Sequence, residues 1–132
     1  MVSIYEKRKI AMNSRELMVG NHVSICGGEI VVVTSVRSNG IVTTTLGDMD
    51  ERNLEPVPLS SEIIEKCGFC QIRTSWEKPS VFPYRCIVRG PIDGCFHVKA
   101  GSCECSLRKY IRNLHELENL YFTCYGEELI CE

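Results

Sequence analysis

The alternation of apolar and polar residues predicts a strand-rich region in the first half of the chain. Its β-branched runs, separated by short segments rich in glycine and asparagine, span residues 22–25, 29–36 and 41–46. Asn39-Gly40 between two such runs is typical of a tight hairpin, because both residues tolerate positive φ angles. Residues 17–19 predict one more short strand. We therefore expect a small antiparallel barrel-like unit, of the Src-homology-three-like kind, over residues 13–58.

Two helices are predicted after this unit. Ser60 is a favourable N-cap for a short helix, which the glycine at position 68 would end. Asn113 begins a longer helix, and Glu116 three residues later has the spacing of a capping box. Apolar side chains recur along one stripe of this helix, at Leu114, Leu117, Leu120, Tyr121 and Cys124. Gly126 is the predicted end of the helix.

Strand patterns fill the space between the two helices. Residues 82–89 and 92–99 predict a hairpin, closed by a turn at Gly90-Pro91 or at Asp93-Gly94, and residues 107–111 predict a further strand. We therefore expect an α+β fold, in which a strand-rich region with two helices over residues 59–132 shares one core with residues 13–58. Residues 1–12 are predicted to form a flexible leader.

Composition points to a folded cytoplasmic protein. Hydrophobic residues make up 44% of the chain and charged residues 24%, which excludes an intrinsically disordered chain. No apolar run approaches the roughly 20 residues that span a bilayer, so no membrane partner is expected. The basic stretch at residues 7–9 is not followed by the apolar region of a signal peptide.

The net charge of -2 argues against a general nucleic-acid binder, and no duplex nucleic acid is expected as a partner. Residues 66–112 nevertheless carry nine basic and three acidic side chains. This segment either presents a basic face to an anionic ligand or faces acidic segments, within the fold or across a homo-oligomer interface. The candidate ligand-binding residues, which interleave cations with an aromatic ring, are Arg73, Trp76, Arg85 and Arg89. Such a group suits single-stranded nucleic acid or a nucleotide.

The chain is cysteine-rich, with nine cysteines. The odd number and the lack of a signal peptide argue against a full disulfide framework, and small apolar core residues are the leading interpretation. The alternative is a zinc site, whose four thiolates would come from Cys67, Cys70, Cys103 and Cys105. Redox catalysis by Cys67 and Cys70 is disfavoured, because the pair follows the end of a predicted helix, where the helix dipole has the wrong sign.

One pair of residues would suit nucleophilic catalysis. Cys95 and His97 alternate with Phe96 along a predicted strand, so both side chains point to the same face. No third residue that would orient the histidine is evident. The sequence has no phosphate-binding loop, dinucleotide-binding fingerprint, zinc-protease helix or serine elbow. We therefore predict no enzymatic activity and no cofactor, and keep a small Cys/His-dependent enzyme as an alternative.

Several stretches resemble a family of small proteins carried by phages and prophages of gut anaerobic bacteria. They lie at residues 16–21, 54–59, 65–69, 114–122 and 126–129. The stretch Leu114-His115-Glu116-Leu117-Glu118-Asn119-Leu120-Tyr121-Phe122 resembles the family's C-terminal signature most closely. The resemblance implies a mobile-element setting and brings no catalytic residues. The family pattern lacks a cysteine at position 70, which weakens a zinc or redox role there.

These observations predict a non-enzymatic binding or interaction protein of the phage or prophage type. It would hold a partner protein or a small anionic ligand against the positive segment at residues 66–112. The zinc-stabilised module is the first alternative and the Cys/His enzyme is the second.

Overall fold

The computed structural model describes residues 13–25, 28–78, 86–100 and 107–129. The predicted leader at residues 1–12 lies outside these ranges. The chain divides between Val57 and Pro58 into two compact units. That the two units share one core stays a prediction.

The first unit is a curled antiparallel half-barrel of five strands, which confirms the predicted barrel-like unit. Its strands are β1 (His22–Ile25), β2 (Ile30–Val36), β3 (Ile41–Thr44), β4 (Gly47–Asp50) and β5 (Leu54–Glu55). They lie in the order β4-β3-β2-β1-β5, with short 3-10 turns at Ser14–Glu16 and Glu51–Asn53. The β2–β3 hairpin closes at Asn39-Gly40, where Gly40 has a φ of +83°. The hairpin signal in the sequence is thus confirmed.

Alternating residues of the half-barrel form its core. The buried apolar side chains are Leu17, Val23, Val31, Val33, Val42 and Leu54, with Ile25, Val36 and Met49 packed against them. A register shift between Val33 and Ser35 interrupts the β2–β3 ladder. Such irregularities bend a strand and increase its twist, so this one helps the sheet to curl.

Residues 17–19 do not form the predicted strand. The Asn13 side chain accepts a hydrogen bond from the Arg15 N–H at 3.0 Å and begins a 3-10 turn there. The Asn21 side chain accepts from the Met18 N–H at 2.8 Å. These local side-chain bonds satisfy backbone groups that a strand would otherwise pair, so a turn forms in its place.

Strand β4 is an element that the sequence pattern did not predict. Two of its four residues are acidic and none is β-branched, yet they pair with β3 in the register Thr43 to Asp48 and Ile41 to Asp50. The Thr43 hydroxyl donates to the Asp48 carboxylate at 2.7 Å. Pairing with a strongly β-forming neighbour thus overrides the weak intrinsic preference of this stretch.

The second unit is a five-strand antiparallel sheet with two helices, as the α+β prediction requires. Its elements are α1 (Ser61–Lys66), β6 (Cys70–Ile72), β7 (Ser75–Lys78), β8 (Cys86–Ile92), β9 (Cys95–Ala100), β10 (Leu107–Ile111) and α2 (Leu114–Tyr125). The strands follow one another in space as they do in sequence, in the order β10-β9-β8-β7-β6. The β8–β9 hairpin closes at Asp93-Gly94, the second of the two turns that the sequence left open.

Both helices begin where their capping residues predict. The Ser60 hydroxyl accepts from the Ile63 N–H at 3.3 Å, and the Glu116 carboxylate accepts from the Asn113 N–H at 3.1 Å. Gly126 ends α2 in the left-handed region, with a φ of +67°. In the described part of the chain, neither helix has the length and hydrophobicity needed to cross a lipid bilayer.

Candidate anion-binding site

The second sheet has one buried face and one open face. Trp76, Val88, Phe96, Val98 and Ile111 are at most 5% exposed and belong to the core. Successive residues of a strand point to opposite faces, so the residues between them occupy the open face. The open face is where polar and charged side chains of β8, β9 and β10 meet.

Strand register places these open-face residues in two rows that run across the sheet. In one row Lys99 lies between Ile87 and Arg108, and in the other His97 lies between Arg89 and Tyr110. Directly opposed residues in antiparallel strands have Cα atoms about 5 Å apart. A pocket of about 210 Å³, which we name the basic cleft, is lined by Ile87, Arg89, His97, Lys99 and Arg108.

The basic cleft concentrates positive charge. Arg89, Lys99 and Arg108 are all exposed, and Lys99 faces Arg108 directly across the β9–β10 pair. Among the described residues, the ion pairs are Arg37–Asp48, Arg52–Asp50 and Lys66–Glu62, and none of them involves a cleft cation. Like charges placed directly opposite each other in a sheet destabilise it. An anion in the cleft would offset this repulsion.

An aromatic platform borders the basic cleft. The His97 and Tyr110 rings lie 5.0 Å apart between centroids, at an interplanar angle of 40°. The Tyr110 side chain lies on β10, the terminal strand of the sheet, and the residue is 64% exposed. Its ring therefore offers an accessible surface beside His97, which itself lines the basic cleft.

Cys95 and His97 share the open face, as the sequence predicts. The Arg112 guanidinium Nε–H donates to the Cys95 sulfur at 3.1 Å, and this hydrogen bond raises the pKa of Arg112. Residues two apart in a strand are about 7 Å apart, and the His97 ring packs on Tyr110. Cys95 is thus paired with a cation, and the described hydrogen bonds do not join it to His97.

The residues predicted for ligand binding do not form one group. Arg89 lies in the basic cleft, and Arg73 is exposed in the β6–β7 turn with a φ of +60°. Trp76 is only 5% exposed and lies on the core face, so its predicted role as a stacking surface has to be corrected. Arg85 lies outside the described residues.

Lys99, Arg108 and Tyr110 are cleft or platform residues that the sequence analysis did not select. Each lies in a strand that was predicted with nearly the observed bounds, and each occupies an alternate, outward-facing position. The signal was therefore the alternation in β9 and β10. These residues form a site only because the cross-strand register brings Lys99 opposite Arg108.

Two of the four predicted zinc ligands lie in the described residues. Cys67 is fully buried and disulfide-bonded, and Cys70 is an exposed free thiol. A zinc site that uses Cys67 would need its thiolate, and hence a reduced bond. The described residues contain no cluster of three or more His, Cys, Asp or Glu side chains suited to a metal. Cys103 and Cys105 lie outside them, and the zinc site stays a prediction.

No family model, no curated protein and no solved structure matches the chain. What the basic cleft binds must therefore be inferred from its own residues.

Proposed function

We propose that this chain is a non-enzymatic binding protein of the phage or prophage type, which acts in the cytoplasm and holds an anionic ligand in the basic cleft. The observation that carries the proposal is the directly opposed pair of Lys99 and Arg108, with Arg89 beside it. The three cations are exposed on the open face, and none of them joins an ion pair with another described residue. Charged groups that lower the stability of the fold and have no structural role are typical of functional sites.

The size and chemistry of the cleft favour a phosphate-like ligand. Its volume of about 210 Å³ suits a small anionic group better than a whole drug-sized molecule. Arginine offers planar, forked donors for phosphate oxygens, and lysine adds a point charge. The basic cleft thus combines two arginines with one lysine around a single opening.

Binding of inorganic pyrophosphate, measured by calorimetry at low salt, tests the proposal. We expect the double variant Lys99→Gln/Arg108→Gln to weaken binding by at least about tenfold, because two charge-assisted contacts are lost. The matched control is Lys66→Gln/Arg73→Gln, which removes the same net charge from exposed positions outside the cleft. Its affinity should stay within about twofold of the unmodified chain. Equal weakening in both variants, or no pyrophosphate binding at all, contradicts the proposal.

The two alternatives predict different results. A zinc-stabilised module should carry about one zinc per chain in native mass spectrometry and lose thermal stability with a chelator. A Cys/His enzyme should alkylate unusually fast at Cys95, and a His97→Gln variant should slow that reaction. A homo-oligomer would be visible as a multiple of the chain mass in the same native spectra.

A further inference from the structure

We infer that the anionic ligand of the basic cleft is a single-stranded nucleic acid, held by phosphate contacts to the cleft cations and by a base stacked on Tyr110. The inference rests on the proposed function and deepens it by naming the ligand class. Its basis is the juxtaposition of three cations and an exposed aromatic ring on one open sheet face.

The cations extend further than one phosphate group. Arg89, Lys99 and Arg108 lie on three successive strands, so the outer two are about 10 Å apart across the sheet. Arg112 follows directly after β10 on the same side as Cys95 and continues the positive charge along the strand direction. A ligand that contacts the three cleft cations at once must carry several phosphates, as a polynucleotide strand does.

The aromatic platform selects unpaired bases. Tyr110 lies on the open face of β10 and is 64% exposed, so its ring does not contribute to the core. The His97 ring packs against it at 5.0 Å between centroids and so restrains its position. Sheet faces that bind single strands stack splayed bases on such rings, whereas the bases of a duplex are already stacked on one another. The ring therefore favours a single strand over a duplex.

Charge complementarity supports the same ligand. The five residues that line the cleft include no acidic side chain, and among the described strand residues of this sheet the one acidic position is Glu77, across from Ile87 on β7. A neutral or cationic protein surface would gain nothing from the opposed pair of Lys99 and Arg108. A phosphate backbone neutralises both cations and releases the counterions that it carries.

Fluorescence anisotropy with a 12-nucleotide oligo-uridine tests the inference. With three phosphate contacts, the slope of log K against log salt should be about -2, and Lys99→Gln/Arg108→Gln should reduce it to about -0.7. Tyr110→Leu keeps an apolar residue on the strand and should weaken oligonucleotide binding by about tenfold through the lost stack. Phe122→Leu is the matched control, because it also replaces a partly exposed ring, on α2, and should leave affinity within about twofold.

The arms of this experiment separate the possible failures. If pyrophosphate binds in the cleft but Tyr110→Leu leaves oligonucleotide affinity unchanged, the inference falls and the proposed function stands. Equal affinity for a 12-base-pair duplex would indicate a general polyanion surface and would also overturn the inference. If a mononucleotide binds as tightly as the oligonucleotide, the ligand is a single nucleotide and the inference is overturned. If neither pyrophosphate nor the oligonucleotide binds, both proposals fail.

Discussion

The indole N–H of Trp76 donates a hydrogen bond to the Glu65 carboxylate at 3.1 Å and so joins β7 to α1. The same indole makes an edge contact with Phe96, with 6.3 Å between ring centroids. Tryptophan buries well when its N–H finds a partner, and Glu65 supplies that partner at the rim of the core. The only tryptophan of the chain is therefore a packing residue of the second unit.

Removing the acceptor of this hydrogen bond should weaken the second unit. We expect Glu65→Ala to lower the free energy of unfolding by about 1 kcal/mol, the usual net value of such a bond. Glu65→Gln should cost less than half as much, because the amide oxygen still accepts from the indole. Urea unfolding followed by Trp76 fluorescence measures both values. Equal losses in the two variants would show that the hydrogen bond contributes nothing.

The β8–β9 hairpin contains two glycines that should differ sharply in their tolerance of a side chain. At Gly90, with a φ of +128°, an added Cβ would lie 3.0 Å from the backbone oxygen of Cys95. At Gly94, with a φ of +79°, it would meet nothing within 4 Å. We expect Gly94→Ala to cost about 1 kcal/mol from the positive φ alone. Gly90→Ala should cost at least about 2 kcal/mol, because a backbone atom must also move. Thermal unfolding of the two variants gives the comparison, and similar melting temperatures would refute it.

Burial should make Cys86 inert towards alkylation. The side chain is 1% exposed, and desolvation raises its pKa to about 12, with a smaller contribution from Cys124. At pH 8 only about one molecule in 10,000 would then carry the thiolate. Cys70 is exposed at the start of β6 and is the internal comparison. After brief treatment with iodoacetamide, peptide mapping should find Cys70 labelled and Cys86 labelled only when urea is added. Labelling of both at one rate in native buffer would contradict this expectation.

The strands of the site could be predicted from the sequence, but which residues of neighbouring strands lie opposite one another could not. Alternation alone places His97 and Phe96 on opposite faces, and the structure agrees. Pairing Arg89 with His97 depends on which turn closes the hairpin, Gly90-Pro91 or Asp93-Gly94. A shift of one residue in register exchanges the two faces of a strand. The structure closes the hairpin at Asp93-Gly94, and an irregularity between Arg89 and Ile92 shifts the register there.

The same reasoning explains why Trp76, predicted as a stacking surface for a ligand, lies in the core instead. Trp76 and Arg89 lie close in sequence to other aromatic and basic residues, which favoured one mixed surface. Trp76 pairs with Val88, however, so the residue that follows Val88 must point to the other face. An aromatic ring is as suitable for a core as for a ligand, and only the partner strand decides between the two.

Acid should destabilise the first unit through Glu51. Its carboxylate accepts a hydrogen bond from the Ser14 N–H at 2.7 Å, and hydrogen bonding from Ser14 lowers the pKa of Glu51 below its ordinary value of 4.5. The unfolded chain then binds more protons than the folded chain in acid, so this stabilisation is complete above pH 4.5 and is lost as the pH falls through the folded value.

We therefore expect Glu51→Gln to lower the free energy of unfolding by about 1 kcal/mol at pH 7, since the carboxylate is partly solvated, and by much less near pH 3. Urea titrations followed by the amide signal of Val31, a buried residue of the same unit, report the difference at each pH. Glu29→Gln is the control, because Glu29 is an exposed carboxylate of the same unit whose side chain has no described hydrogen bond. Its effect should be small at both pH values. A Glu51→Gln penalty that does not change between pH 7 and pH 3 would show that packing, and not the carboxylate charge, stabilises the contact with Ser14.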